Sequence, residues 1–289
     1  MEIQEVIDAV RAHCGAEYPR GCAIELPSSR DQVLYGRTDR ACTGVVTTLY
    51  ASPEVIEEAR RLGANFVIAH EALFWNRGDR TGWLTGDPVF REKSRLLDEC
   101  GITVWRCHDC LHAGIPVGEG GTLEDAIFWG VAHKLGWLPY HVGEGFFPGV
   151  FDIPETTLGD LARFVVSRLG LRGARLVGRE GSRVRRVRFM GHAYGIGEDD
   201  PLIESNHSLG IDCELALEVV DYTIAEYVRD ASALGFDKGL ITVGHFDLEE
   251  PGMEFMAEWL PEVLARRAPE GAPTVGYVQA GGFSGYVEG

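Results

Sequence analysis

Imidazole and carboxylate side chains gather at three points of this chain. They are His70-Glu71, the run Cys107-His108-Asp109-Cys110-Leu111-His112, and His245-Phe246-Asp247-Leu248-Glu249. Nitrogen and oxygen donors of these types suit borderline divalent ions such as zinc, manganese or iron. One catalytic metal commonly takes about three protein ligands. Five or six donors therefore point to two divalent metal ions, with a carboxylate able to bridge them. Each cluster has a plainer reading as well. A lone histidine is more often a hydrogen-bonded structural residue, His70-Glu71 reads also as a loop pair, and His245 with Glu249 as the lead-in to a helix starting at Pro251. It is their shared position that unites them.

Each cluster follows a segment patterned as a strand. GVVTTLY (44–50) is β-branched and apolar, as a buried parallel strand should be. Ser52-Pro53-Glu54 then supplies a cap, a first-turn proline and an acid for the positive helix end. That helix stops at Gly63, and NFVIA (65–69) leads to His70. Asp87-Pro88 opens a helix closed by Gly101, and ITVWR (102–106) leads to the Cys107–His112 run. Thr122 reads as the cap of a helix ending near Gly136. In open α/β sheets ligands collect beyond the carboxyl ends of the strands.

The second half adds strands near 146–152, 174–177, 184–190 and 212–219, and helices over 157–170 and 221–234. GLITVG (239–244) is a strand ending at His245, a helix runs from Pro251 to Arg267, and TVGYV (274–278) is a last strand. The fold class expected is α/β, with two similar halves of mixed, mainly parallel sheets covered by helices. The boundary falls in the glycine-rich segment 136–148, giving an N-terminal half over 1–137 and a C-terminal half over 138–289. GANFVIAHEALF (63–74) and GFDKGLITVGHFDLEE (235–250) echo one another, so duplication and chance similarity both stand open.

Composition narrows the partners. The 289 residues carry a net charge of −17, from 44 acidic and 27 basic side chains. Such a surface repels nucleic-acid phosphates, so generic nucleic-acid binding is not expected. The one basic cluster, Arg172 to Arg188, reads as a solvated strand pair balancing acidic neighbours, or as a seat for a phosphate-bearing substrate or acidic partner. No apolar run reaches the roughly eighteen residues of a membrane span. The N-terminus lacks a secretory pattern, so a cytoplasmic protein is expected. Seven scattered cysteines argue against a disulfide framework. Cys107 and Cys110 form the one CxxC, and a zinc knuckle would need a second pair. The stretch 190–197 reads as a flexible turn, or as backbone able to approach a phosphate.

The segment TGVVTTLYASPEVIEEARRLGANFVIAHEALFW (43–75), together with ITVWRCHDCLH (102–112) and ITVGHFDLEEPGMEFM (241–256), resembles the three signature blocks of the Ngg-interacting-factor-three-like family. That family is also labelled GTP cyclohydrolase I type 2, or dinuclear metal-centre hexamer proteins. The resemblance implies metal ligands at His70, Glu71, His112, His245 and Glu249. Glu71 stands where the family usually has a second histidine, and His112 where it has aspartate. The set remains three imidazoles and two carboxylates, a rearranged two-metal site. Glu218 matches the acid of a further family motif and ranks below these five.

The function expected is a metal-dependent hydrolase acting on a small nucleotide-like or amide-containing molecule, with Glu249 or Glu71 bridging the ions. His108 is the proton-transfer candidate, because imidazole titrates near neutral pH, and it also stands as a sixth ligand or as a partner orienting one. Asp109 is placed to hold a ligand imidazole by hydrogen bond, and Asp247 is expected in solvent. The resemblance implies ring opening of GTP and a toroidal homohexamer. The competing class is a non-enzymatic metal-binding or regulatory hexamer.

Overall fold

Helix starts in this chain are written in its capping residues. Ser52 accepts a hydrogen bond from the Val55 N–H, Asp87 from Phe90 and Thr157 from Asp160, each satisfying an N–H that the first turn leaves open. Gly101 closes its helix at φ 63°, a left-handed conformation that glycine adopts without penalty.

The computed structural model describes residues 1–17, 23–25, 28–76, 78–197, 199–282, 284, 285 and 287; Cys22 lies outside them. The first part of the chain runs α1 (Ile3–His13), β1 (Val33–Tyr35), β2 (Val45–Thr48), α2 (Pro53–Arg61), β3 (Phe66–Ala69), α3 (Pro88–Cys100), β4 (Thr103–Arg106), α4 (Asp109–Ala113), β5 (Ile115–Pro116), β6 (Leu123–Glu124) and α5 (Ala126–Leu135). Then follow β7 (His141–Val142), β8 (Val150–Thr157), α6 (Leu158–Leu169), β9 (Arg175–Gly178), β10 (Arg183–Ala193), α7 (Asp199–Ser208), β11 (Cys213–Val219), α8 (Glu226–Ala233), β12 (Gly239–Thr242), α9 (His245–Arg267) and β13 (Val275–Tyr277). Among the described residues no helix is long and apolar enough to cross a membrane.

The chain divides into two compact units. Unit 1 holds residues 1–130 and 252–281; unit 2 holds 131–251 and 282–289. The sequence expectation placed one cut at 137/138 and left 252–281 with the second half. Strand pairing explains the difference: β13 lies parallel to β2, with Val275 opposite Val45, so the last strand belongs to the first sheet.

In unit 1 the strand order is β1-β4-β3-β2-β13, with β13, β2, β3 and β4 mutually parallel and β1 antiparallel at the edge. Val46, Val67 and Val104 pack with Val55, Ile56, Leu73 and Leu97 beneath the helices. In unit 2 the order is β7-β8-β10-β11-β12-β9. The central three strands are parallel and antiparallel β8 and β9 flank them. Met190, Ala216 and Leu240 pack there against Ile224 and Val228. Both units are mixed α/β structures, as the alternating pattern implied; the sheet of unit 1 is mainly parallel, and that of unit 2 has a parallel centre with antiparallel flanks.

One local expectation shifts. The last helix begins at His245, six residues before Pro251, because Gly244 turns at φ 106° and its carbonyl already accepts the Leu248 N–H at 3.0 Å. Pro251 sits inside this helix and forfeits one ladder bond. The basic cluster balances acidic neighbours, as the first of its two readings had it, with most of its arginines in ion pairs within unit 2. Arg175 pairs with Asp221, Arg179 and Arg183 with Asp237, and Arg186 with Asp152.

Candidate metal centre

Unit 1 brings three imidazoles together at the carboxyl ends of β3 and β4. His70 is the first residue past β3, and His108 and His112 flank the first turn of α4. One nitrogen from each lies within 4.8 Å of the others. His70 stacks on His108 with ring centroids 4.3 Å apart, and His112 meets both rings more steeply. His70 is fully buried and His108 nearly so.

Hydrogen bonds on the far sides of two rings fix their tautomers. His70 Nδ1 lies 3.2 Å from the Cys107 carbonyl, an acceptor only, so the proton sits on Nδ1 and the lone pair on Nε2. His112 Nδ1 lies 2.8 Å from Asp125 Oδ2, with the same consequence. A carboxylate or carbonyl behind the imidazole is the usual support of a metal-ligating histidine. His108 differs. Its Nε2 is 3.0 Å from Arg30 Nη1, which donates to it, and its Nδ1 lies 3.2 Å from Asp109 Oδ1.

Burial is the first cause holding His70 far below the ordinary imidazole pKa, with His108, His112 and Arg106 nearby adding to it. Burial likewise depresses His108, against the pull of Asp109 in the other direction. Both rings are therefore neutral near pH 7, the form that offers a lone pair.

Glu71 enters the cluster tied to Arg106, whose Nη2 is 2.9 Å from Glu71 Oε2. The same buried guanidinium donates to the His70 carbonyl at 3.2 Å and pairs with Asp79. Arg106 ends β4, so one side chain sets the geometry of the loop following β3. Asp109 holds Arg30 through Oδ1 at 2.8 Å and accepts from Ser29 Oγ and the Arg30 N–H through Oδ2. A cavity of about 390 Å³ opens here, lined in part by Ser29, Arg30, Arg80 and Arg106.

Unit 2 gathers a second set at the carboxyl ends of its parallel strands. His245 and Glu249 occupy adjacent turns of α9 on one face, with Nε2 and Oε2 3.0 Å apart. His192, near the end of β10, and Glu218, near the end of β11, join His245. One ligand atom from each of the three lies within 4.8 Å of the others. Glu218 Oε2 is 3.0 Å from His192 Nδ1 and accepts from the Tyr194 hydroxyl at 2.7 Å, while Oε1 is 3.7 Å from His245 Nδ1. Burial lowers the His192 pKa and the neighbouring His245 adds to this, opposed by Glu218 and Glu249. Asp247, expected in solvent, is half-buried.

The sequence reading passed over His192, Asp125 and Arg30, and ranked Glu218 low. His192 carried the signal that found the others, a histidine at a strand end, but stood inside a glycine-rich stretch read as a turn. Gly195 in that stretch is required by packing: at φ 73°, a Cβ there would collide with the Tyr222 ring. Asp125, not Thr122, caps α5, its Oδ1 accepting from Ile127 and Phe128 N–H groups at 3.0 Å.

Residues 23–270 match the Duf34/NIF3 (NGG1p interacting factor 3) family. The chain belongs to this family. A GTP cyclohydrolase 1 type 2 homolog of Escherichia coli K12 is 30% identical over 220 residues, covering 75% of this chain and 79% of that protein. A homolog of the same name from Clostridium perfringens is 22% identical, covering 83% of this chain and 87% of its own length. Among solved structures, a Bacillus cereus protein related to NIF3 superposes with a TM-score of 0.71 at 17% identity, over 99% of both chains. A Staphylococcus aureus protein gives 0.68 at 18% identity, again over 99% of both. These likenesses establish the Duf34/NIF3 fold for this chain.

Proposed function

We propose that this Duf34/NIF3 protein is a hydrolase dependent on two divalent cations, with a small nucleotide-like or amide-containing substrate. The proposed ligands are those the family resemblance implies: His70, Glu71, His112, His245 and Glu249. The observation that carries the reading is the support behind His70 and His112, whose Nδ1 protons are engaged by the Cys107 carbonyl and Asp125. Structural histidines have no need of a shared tautomer, whereas ligands do. The donor set, imidazole with carboxylate, fits zinc, manganese or iron.

When bound, such cations would lower the pKa of a coordinated water toward about 7 and would stabilise charge on a carbonyl or phosphoryl oxygen. The chain's own residues do the rest. His108, kept neutral by burial, is the proton-transfer group of this reading once its Nε2 lone pair is released from Arg30. Arg30, Arg80 and Arg106 line the adjacent cavity, and guanidinium groups recognise phosphate oxygens in pairs. The names of the curated relatives make GTP the first compound to try. A cytoplasmic homohexamer is the setting proposed from the family resemblance.

The test joins metal content to turnover. Purified protein should carry at least two equivalents of divalent metal per chain and hydrolyse one member of a nucleotide, phosphodiester and dipeptide panel. His245→Ala and Glu249→Ala should each lose metal and turnover together, whereas His108→Gln should keep metal and lose turnover. Full metal retention in both of the first two variants would reject the ligand assignment. Metal loss with no activity toward any panel member would favour the non-enzymatic reading.

A further inference from the structure

The CxxC of Cys107 and Cys110 lacks a partner pair in the sequence, but the fold supplies one from elsewhere. Cys14, the C-terminal cap of α1, places its thiol near that of Cys110. Cys110 in turn lies 3.1 Å, sulfur to sulfur, from Cys107. Asp31, Cys107 and Cys110 form the tight part of this group, with an Asp31 oxygen and the two sulfurs all within 4.8 Å of one another, and Cys14 lies just outside it. All of this lies within unit 1. Cys107, Cys110 and Asp31 are buried and Cys14 is half-buried; all three cysteines are free thiols.

Several features distinguish this group from an ordinary buried cluster. A free cysteine alone packs as a small hydrophobe, and one thiol in a core needs no explanation. Three thiols meeting beside a buried carboxylate are donors of the type and number that a tetrahedral zinc site uses. Hydrogen-bond donors already surround Asp31. Asp31 accepts the backbone N–H groups of His108, Asp109 and Cys110 at 2.5, 2.8 and 2.9 Å, and Arg11 donates to the Asp31 carbonyl at 2.7 Å. These donors offset the negative charge that three thiolates and a carboxylate would leave around a dication.

We infer that Cys14, Cys107, Cys110 and Asp31 form a binding site for one thiophilic divalent cation of the zinc class, separate from the imidazole and carboxylate centre. Binding displaces the three thiol protons to solvent as three metal–sulfur bonds form. With metal–sulfur bonds of about 2.3 Å, tetrahedral geometry places sulfurs about 3.8 Å apart, so the Cys107–Cys110 contact opens on loading. The cation would clamp the end of α1 to the turn that presents His108 and His112. Its role is structural, and it does not depend on the hydrolase reading.

Cobalt(II) reports thiolate ligation directly, because thiolate-to-cobalt charge transfer gives a near-ultraviolet band that imidazole and carboxylate ligands do not. The full-length protein, reduced and stripped of metal without oxygen, should develop this band with one equivalent of cobalt, and zinc should bleach it. His245→Ala should keep the whole band, whereas Cys14→Ser and Cys110→Ser should each lose at least half of it. Absence of the band in the unsubstituted protein, or its full survival in both cysteine variants, would overturn the site. Should those variants fail to fold, alkylation of the unsubstituted protein decides. Zinc should slow iodoacetamide labelling of Cys14, Cys107 and Cys110 at least tenfold, leave Cys42 and Cys100 unchanged, and lose its effect when chelated. Equal labelling rates with and without zinc would reject the proposal.

Discussion

Asp125 does two jobs with two oxygens: Oδ2 takes the Nδ1 proton of His112 at 2.8 Å, and Oδ1 caps α5 through two backbone N–H groups. The division makes the roles separable. Asp125→Asn can keep an acceptor oxygen at the helix end while placing an amide N–H against the His112 ring. Nδ1 must then accept, which moves the imidazole proton to Nε2 and blocks that nitrogen as a ligand. The expected result is a 10- to 100-fold loss of metal affinity, read by competition with a chelator. Thermal stability should change little. An unchanged affinity would mean that His112 does not ligate.

In unit 2 the equivalent test falls on Glu218, which lies between His192 and His245 and accepts from Tyr194. Glu218→Gln removes the negative charge shared by the two imidazoles and should weaken metal binding about tenfold or more. Tyr194→Phe removes one hydrogen bond from that carboxylate and should cost less. Isothermal titration with zinc or manganese would rank the two. Equal effects would show that Glu218 acts through Tyr194 alone.

Much of the fold was legible because its signals are local. Ser52-Pro53, Asp87-Pro88 and Gly101 mark helix ends through their own backbone and side-chain chemistry, and an apolar run such as Phe66–Ala69 can only be a buried strand or helix. The His70, His112 and His245 positions were legible for the same reason, each lying just past such a run. What stayed hidden depends on distant pairing. Nothing local says that Val275 pairs with Val45, so the return of β13 to the first sheet was not foreseen. Nor does Asp31 announce that it will hold the backbone of His108, 77 residues further on. Helix α9 was misjudged at one end because Pro251 is a strong local start signal, yet six residues before it already satisfy the helical pattern from Gly244 onward.

Arg188 and Glu214 form a bidentate ion pair in the interior of unit 2, at 2.7 and 2.9 Å, both almost fully buried. Asn206 Nδ2 donates to the same carboxylate at 2.7 Å, and Arg188 Nη1 donates to Ser205 Oγ. Glu214→Ala would leave a guanidinium charge buried without its carboxylate, and the expected loss is about 3–5 kcal/mol of unfolding free energy. Substituting both residues with apolar side chains of similar volume should recover most of it, since the stranded charge disappears. Chemical unfolding of the single and double variants distinguishes these outcomes. A loss under about 1 kcal/mol in Glu214→Ala would show that water reaches Arg188.

Lys93 gives the chain a pH dependence of predictable sign. Its ammonium donates to the Leu73 carbonyl at 2.8 Å and lies 5.8 Å from the centre of the Phe74 ring. Burial pushes its pKa down from the ordinary 10.5 to about 8, although Asp79 and Glu54 pull the other way. Between those two values the unfolded chain holds a proton that the folded chain has released. Stability therefore rises with pH across the window, and below about 8 the buried charge costs its full amount. The interval corresponds to about 3 kcal/mol for this one group. Lys93→Met cannot titrate, so its unfolding free energy should lack this rise, whatever its absolute stability without a donor to Leu73. Denaturant midpoints for both proteins at several pH values between about 7 and 10 provide the measurement. Parallel curves would show that Lys93 is charged equally in the folded and unfolded chain.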